Sequence, residues 1–434
     1  MQRIWSIELP AHVGECVVLA GWLHRLRRLS KVSFLILRDG AGLAQVVLET
    51  PHLVACVASL EPESVLRVEG QVVANQQAPH GVELVATRVE VISAAVEPPP
   101  FELHRPHIPA QLPTLLDHAP ISLRHPRQRA LFRLAAASVE GFRRTLRAER
   151  FTEIFTPKIV ATSTEGGANL FGVDYFGRQA FLAQSPQFYK QTLVGVFERV
   201  FEVGPVFRAE PHDTPRHLNQ YTSLDAELGF IEDHTTVMAL LERAIGGMLA
   251  ALETEDLTEE RALLRLELPR PSSSMPRIDF VEAQHLIQAA IGEDVVGELD
   301  LAPAHERWLG EWAMREHGSE FVFVTGFPMA KRPFYTHPDP ARPAFTNSFD
   351  LLFRGLELVT GGQRLHTYAA YRDALAERGI DAEPFASYLE AFKHGMPPHG
   401  GFALGLERWV ARLVGAANVR ETTLFPRDLH RLTP

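Results

Sequence analysis

The 434-residue chain is predicted to be an α+β protein of more than one domain. Three features of the sequence predict this. Residues 1–95 are a succession of short β-branched-rich runs. A proline-rich stretch follows. Beyond it, strong helices alternate with strand-like runs that come in consecutive groups, which favours an antiparallel sheet over a doubly wound one. The length alone exceeds one ordinary domain.

The N-terminal strands are ECVVLAGWLH (15–24), KVSFLILRD (31–39), GLAQVVLET (42–50), SVLRVEGQVV (64–73) and GVELVATRVEVIS (81–93). Only PHLVACVASL (51–60), between the third and fourth, has helical spacing. Five strands with one helix in that place is the strand order of an OB-fold, a small barrel that commonly binds oligonucleotides. Another small barrel without a ligand would show the same pattern. AVEPPPFELHRPHIPAQLPTL (95–115) lacks an apolar period and reads as a semi-rigid linker. The domains are therefore placed at 1–95 and 121–434, with 96–120 as the hinge. In the second, helices are predicted over 127–148, 234–253, 280–291 and 303–317. Strands are predicted in FERVFEVGPVFRAE, SEFVFVTGFP and SFDLLFRGLELVTGG.

Composition narrows the function classes. A hydrophobic fraction of 46% supplies buried cores, and the formal charge of −10 argues against a generic nucleic-acid coat, so any nucleic-acid contact must come from a local basic patch. Cys16 and Cys56 make neither a disulfide framework nor a zinc site. The N-terminus has no signal-peptide character, and no run approaches the ~18 consecutive apolar residues of a membrane helix. A cytoplasmic protein without a membrane segment is expected.

Several motifs fail. Neither GxxxxGK[ST] nor GxGxxG after a strand is present. His305-Glu306 opens like a zinc-binding HExxH, but Leu309 stands at the second histidine position, so the pair is expected on a helix surface. LSKVS (29–33) is faintly like the KMSKS loop of one synthetase class, without its HIGH partner.

Three separated segments read together. The helix RALFRLAAASVEGFRRTLRAERF runs into TEIFTP, ending at Pro157. VFEVGPVFRAEPHDTPRHLNQYTSLDAELGF (200–230) reads as a strand carrying Arg208 and Glu210, a polar loop and a second strand. GGFALGLERWVARLVG (400–415) is a glycine-rich strand entering a helix, with Arg408 at the junction. Taken singly these read as a core helix, a solvated ion pair and a bend. Together and in this order they resemble motifs 1 (about 127–157), 2 and 3 of class II aminoacyl-tRNA synthetases. With TEGGANLFGVDYF, FLAQSPQFYKQ, GGQRLH, PPHGGFALGLER and LFPRDLHRLTP, the chain is most similar to archaeal-type aspartyl-tRNA synthetases over nearly its whole length.

That resemblance implies an N-terminal anticodon-binding OB barrel, a class II antiparallel-sheet catalytic domain and ATP-dependent aspartylation of tRNA through aspartyl-adenylate. Charge accumulates on the α-phosphate during this chemistry, so fixed guanidiniums are the expected stabilisers. By resemblance, Arg208 takes the α-phosphate, Arg408 grips the far end of a bent triphosphate, and Arg216 and His217 reach the γ-phosphate. Glu210 accepts from the adenine amino group, and the ring lies between Tyr221 and Arg408. Leu218, Gly405, Leu406 and Glu407 complete the ATP-binding set. Glu357, in LELVTGG, carries Mg2+, with Thr360 where the family usually has serine. The carboxylate attacks without a protein base, so catalysis is mainly positioning and electrostatics.

Lys190 stands alone as a cation in the apolar and amide run 181–191, where an unpaired ammonium is costly. The resemblance gives it the side-chain carboxylate of L-aspartate as partner, with Arg364 as the bidentate second cation. Glu165, Gln187 and Asp225 orient the α-amino group, and Arg208 and Thr360 close the aspartate site. Asparaginyl enzymes look similar around GGQR but lack this lysine.

In the barrel, Phe34 is expected to stack a base, Gln45 and Glu83 to read base edges, and Arg25, Arg27, Arg28 and Lys31 to form the basic patch. Members that charge only tRNA(Asp) often carry a tryptophan after GWV and a lysine in the loop before the last strand. Here the matching places are His24 and Pro79 (His80 if the loop slips by one). That pair resembles the non-discriminating members, which also charge tRNA(Asn) and feed an amidotransferase. The alternatives are a ligase confined to tRNA(Asp), a synthetase-like binding protein without ligase activity, and an asparagine-specific ligase. A homodimer through motif 1 is implied.

Overall fold

The computed structural model describes residues 3–29, 32–163, 169–269 and 274–434. Glu165 and Lys31 lie outside the described residues. The chain divides into two compact units, the first running to Arg129 and the second from Ala130 to Thr433.

The first unit is a closed five-stranded barrel. Its strands are β1 (Cys16–Arg28), β2 (Ser33–Arg38), β3 (Leu43–Leu48), β4 (Val65–Ala74) and β5 (Val82–Ser93), with α1 (Pro51–Val57) between β3 and β4. The order around the barrel is β1-β2-β3-β5-β4, closed by parallel pairing of β3 with β5 at Val46–Leu84 and Val47–Val85. Alternation drives the closure: Leu19, Leu35, Val46, Leu48, Leu66, Val68 and Leu84 are all fully buried inside. Gly21 and Gly70 let strands approach where a Cβ would meet Arg38 O at 2.3 Å and Val85 O at 2.2 Å. The OB order read from the sequence holds, with boundaries within a few residues.

The boundary at the far side moves. Residues 96–120 belong to the barrel unit rather than standing as a separate linker. Ala95 N donates to Ser64 Oγ at 3.0 Å. The buried Glu63 carboxylate receives both Arg38 (2.6 Å) and Arg124 (3.0 Å), so the chain is anchored to the barrel just before and just after this stretch.

The second unit is built on an eight-stranded sheet. In chain order its strands are β6 (Thr152–Glu153), β7 (Arg199–Phe207), β8 (Gln220–Gly229), β9 (Arg277–Asp279), β10 (Phe321–Thr325), β11 (Ser348–Phe353), β12 (Leu356–Arg364) and β13 (His399–Gly405). The sheet order is β9-β10-β11-β12-β13-β8-β7-β6, antiparallel except at its two edge pairs. Its helices include α2 (Pro126–Ala148), α3 (Gln187–Phe197), α4 (His234–Leu252), α5 (Phe280–Ile291), α6 (Pro303–His317) and α7 (Leu406–Val414). The four helices predicted here are present. Helix α3, which carries Lys190, was not predicted, because its eleven residues mix two amides and a lysine into an apolar run with no clean stripe.

Helix α4 is long and apolar enough, at mean hydropathy 1.4, to pass as a span by length and composition alone, although Glu242 and Arg243 interrupt its apolar run. Val237, Leu241, Ile245 and Met248 are nonetheless fully buried in the same core as Phe402, Phe349 and Trp409, so it serves as a core helix here. Its backbone approaches α2 closely, since a Cβ on Gly141 would fall 2.4 Å from Gly247 O. Trp409 Nε1 donates to Ser138 Oγ at 3.0 Å, tying α7 to α2.

Candidate active site

The site lies on the face shared by β8, β12 and β13, closed by α3 at one end and by the β7–β8 loop and α7 at the other. Alternation along β8 puts Asp225 and Glu227 on one side, and the register sets Asp225 opposite Ala403 and Glu227 opposite Gly401. Gly401 has no alternative residue, because a Cβ there would sit 2.1 Å from Glu227 Oε2.

Lys190 is 1% exposed. Its Nζ lies 2.9 Å from Asp225 Oδ1 and 3.4 Å from Glu227 Oε2, and it donates to Phe402 O at 3.2 Å. Arg364 Nε donates to Glu227 Oε1 at 3.0 Å and its Nη2 to Gly401 O at 3.0 Å. The lysine expected to await a ligand therefore already has protein carboxylates, as burial of an ammonium demands. Two cations face two anions. Burial opposes ionisation of Glu227, yet Arg364 and Lys190 hold it below the usual carboxylate range. Ser223 Oγ donates to Asp225 Oδ2 at 2.6 Å. Gln187 is buried, and among the described residues its Nε2 has no hydrogen-bond partner.

Beside this quartet is a cavity whose wall includes Arg208, Glu210, Arg216, His217, Tyr221 and Arg408, with Leu218, Ser223, Glu357, Thr360, Ala403, Gly405 and Glu407. It gathers the predicted nucleotide residues with one exception. Leu406 instead packs against the core and faces a groove beside α2. Both Glu407 carboxylate oxygens accept from Thr222 N at 3.0 Å, and burial pushes its pKa up. Strand β7 ends at Phe207, so Arg208 and Glu210 sit on irregular chain rather than on one strand face. Asn219 fixes that chain by donating to Arg208 O (2.7 Å) and Glu210 O (3.2 Å). The Arg208 guanidinium stands over the Tyr221 ring at 5.7 Å, and 3.8 Å from Glu210 Oε1. Arg408 Nη1 donates to Glu357 O at 3.3 Å.

Two carboxylates lie near the predicted metal position. Thr360 Oγ1 donates to Glu357 Oε1 at 3.2 Å, and Asp350 is the cross-strand partner of Thr360. Burial pushes Asp350 up to about 7, and the Glu357 carboxylate adds to that against the opposing pull of Arg332, 2.8 Å away. Two carboxylates and a hydroxyl, with Asp350 disfavoured as an anion mainly by burial and further by Glu357, are a donor set that fits Mg2+ held jointly with phosphate oxygens.

Residues 111–429 match the family described as tRNA synthetases class II (D, K and N). The chain belongs to the class II tRNA synthetases. Residues 17–92 match an OB-fold nucleic acid binding domain. The chain is 49% identical over the full length of both proteins to the Thermus thermophilus protein named aspartate–tRNA(Asp/Asn) ligase. It is 39% identical, over 97% of each chain, to the Pyrococcus abyssi aspartate–tRNA(Asp) ligase. The crystal structure of Pyrococcus horikoshii asparaginyl-tRNA synthetase complexed with asparaginyl-adenylate superposes with TM-score 0.92, at 32% identity and full coverage of both chains. The class II fold is thus shared by proteins named for different amino acids, and the side chains must decide between them.

Several residues of this class II site escaped sequence reading. Glu227 and Asp350 are carboxylates inside apolar strand runs, and that placement was the available signal. Gln191, Tyr371, Tyr388 and His399 form a buried network behind Lys190: Tyr388 Oη donates to Gln191 Oε1 at 2.8 Å and lies 2.8 Å from Tyr371 Oη, and Gln191 Nε2 lies 3.1 Å from His399 Nε2. His305 and Glu306, expected at a surface, are each 5% exposed. Glu306 accepts from Glu357 N at 3.0 Å and lies 3.3 Å from Arg216 Nη1.

In the barrel unit, Phe34, Gln45 and Glu83 lie on the outward side of β2, β3 and β5, alternating with core residues. Gln45 Nε2 donates to Glu83 Oε2 at 2.8 Å. Pro79 is exposed in the turn Pro79–Gly81. His24 departs from the expectation. It sits at a β-bulge between Leu23 and Arg25, is 7% exposed, and burial and Arg38 lower its pKa to about 4. A buried neutral imidazole does not contact a base directly, so any bearing on anticodon choice passes through what it supports.

Proposed function

We propose that this chain activates L-aspartate with ATP and transfers it to tRNA(Asp) and also to tRNA(Asn). The observation that carries the amino-acid choice is the neutral quartet of Lys190, Arg364, Asp225 and Glu227 beside the nucleotide cavity. Once the α-carboxylate is joined to the α-phosphate as a mixed anhydride, aspartate brings one ammonium and one carboxylate, which leaves the filled site neutral. Asparagine brings the ammonium alone and leaves a buried positive charge unmatched. A difference of one buried charge is worth about a thousandfold in selection, or ~4 kcal/mol.

The chain's own groups position the reaction. Lys190 and Arg364 take the substrate's side-chain carboxylate, while Asp225 and Gln187 take its ammonium. Arg208 meets the α-phosphate, where charge accumulates, and Tyr221 and Glu210 hold the adenine. Glu357, Thr360 and Asp350 would hold Mg2+, which neutralises phosphate charge when bound. The substrate carboxylate is already ionised, so no side chain has to remove a proton.

The tRNA reading rests on the outward barrel residues Phe34, Gln45 and Glu83, on Pro79 in its exposed turn, and on the relatives named for both tRNAs. On this reading, aspartyl-tRNA(Asn) feeds an amidotransferase, and the protein works in the cytoplasm with its tRNAs. A homodimer through α2 is part of the same reading. Leu424 and Phe425 are exposed and line a groove with Phe132, Ala136 and Val139, an apolar surface that a second copy would cover.

Labelled aspartate offered with purified tRNA(Asp) and tRNA(Asn) tests this function. Charging of both is expected. Charging of tRNA(Asp) alone reduces the protein to a discriminating ligase, and no aspartate-dependent pyrophosphate exchange makes it a binding protein.

A further inference from the structure

A second cavity adjoins the nucleotide cavity and is more basic. Arg216, Arg307, Arg408 and Arg412 line it with His217, and no aspartate or glutamate does among the described residues. It shares Arg216, His217 and Arg408 with the nucleotide cavity but has neither Glu210 nor Tyr221 from the adenine end. It therefore continues from the end where the far phosphates would lie.

Helix α7, helix α6 and the β7–β8 loop each bring arginines to this cavity. Arg412 follows Arg408 by one turn on α7, so both project from one helix face. Helix α6 brings Arg307 in by backbone-to-backbone packing: a Cβ on Gly310 would fall 2.6 Å from Gly355 Cα, and Gly355 itself takes φ +71°. Charge is not balanced. Glu306 is the carboxylate near the cluster, 3.3 Å from Arg216, and it is already engaged by Glu357 N. Arg354, the other nearby cation, is spent on Glu320 Oε1 at 2.6 Å and on the carbonyls of Arg412 and Leu413. Among the described residues, Arg412 Nε is buried without a hydrogen-bond partner, and burial together with Arg216, Arg307 and Arg354 lowers its pKa. Four guanidiniums held this way are a site for a compact polyanion.

We propose that this cavity is a second phosphate subsite that receives the pyrophosphate leaving group, an assignment resting on the adenylate-forming reading. A carboxylate oxygen of the amino acid bonds to the α-phosphorus as the bond from that phosphorus to the β-bridging oxygen breaks. The electron pair leaves on pyrophosphate, and no proton or further reactant is needed. Arg408 and Arg216, common to both cavities, hand the anion to Arg412 and Arg307, which take no part in binding ATP.

Arg307→Gln and Arg412→Gln test it. Arg307 is exposed, so its variant keeps the fold even if that of Arg412 does not, and Arg412→Lys gives a conservative control. In aspartate charging with magnesium present, the inhibition constant for inorganic pyrophosphate is expected to rise about tenfold in each Gln variant, the loss of one charge-assisted contact. KM for ATP is expected to stay within about twofold. Unchanged pyrophosphate inhibition, or an ATP KM that rises in parallel, overturns the assignment. Calorimetric titration of inorganic pyrophosphate into the ligand-free wild-type protein and Arg307→Gln reads the anion site without catalysis. Equal affinity there also overturns it, whereas absent aspartate-dependent exchange in the wild type strikes the proposed function instead.

Discussion

Lys190 Nζ lies 2.9 Å from Asp225 Oδ1, with both side chains almost wholly buried. A pair this deep does not gain its keep in stability, because desolvation offsets most of the attraction. Its consequence is that neither group can be removed alone without leaving an uncompensated charge. Lys190→Met is expected to destabilise the second unit by about 3–5 kcal/mol and to lower aspartate activation at least a hundredfold. Lys190→Met with Asp225→Asn should recover a large part of the stability and none of the activity. Urea unfolding and pyrophosphate exchange on the single and double variants check this.

His399 is fully buried, and burial, with Arg364 nearby, lowers its pKa to about 4. An unfolded histidine binds its proton below about pH 6.5, so the unfolded state holds more protons between pH 6.5 and 4. The stability linked to His399 is therefore present above 6.5 and lost as pH falls to 4, on the order of 3 kcal/mol. Asp350, Glu306 and Glu407 have raised values and act in the opposite sense. The comparison with His399→Gln isolates the histidine: the gap in unfolding free energy between wild type and variant is expected to narrow by that amount from pH 7 to pH 4.

Thr360 keeps the hydroxyl that contacts Glu357 at 3.2 Å. Thr360→Ser is expected to retain exchange activity within about threefold, whereas Thr360→Val is expected to weaken magnesium dependence ten- to a hundredfold. A magnesium titration of exchange rate distinguishes them. Chelation should abolish exchange and leave the melting temperature nearly unchanged, because the site's frame is the β11–β12 pairing.

Much of this was legible in the sequence. The barrel announced itself through period-two alternation between turns, and the long helices through their apolar periodicity. The nucleotide arginines were found because their segments occur together and in order. What stayed hidden was pairing across the chain. Glu227 and Asp350 look like isolated carboxylates until β8 and β11 are laid beside β13 and β12. Helix α3 was obscured for the same reason, since the polar face of Gln187, Lys190 and Gln191 is buried rather than solvated. His24 misled because a bulge, invisible in a list of residues, turns it inward.

Phe34 stands on the outward side of β2. Phe34→Ala is expected to cost ~1–3 kcal/mol of tRNA affinity, through lost stacking, with aspartate-dependent exchange unaltered. Pro79→Lys, on the exposed turn, is expected to lower charging of tRNA(Asn) about tenfold relative to tRNA(Asp), by restoring a cationic reader. Filter binding and parallel charging of the two purified tRNAs measure both effects.

The most direct measurement is pyrophosphate exchange by the wild-type protein with aspartate and with asparagine under identical conditions. A preference for aspartate of about a thousandfold in kcat/KM is expected from one unmatched buried charge. Exchange with asparagine within a few fold of that with aspartate would contradict the neutral quartet as the selector.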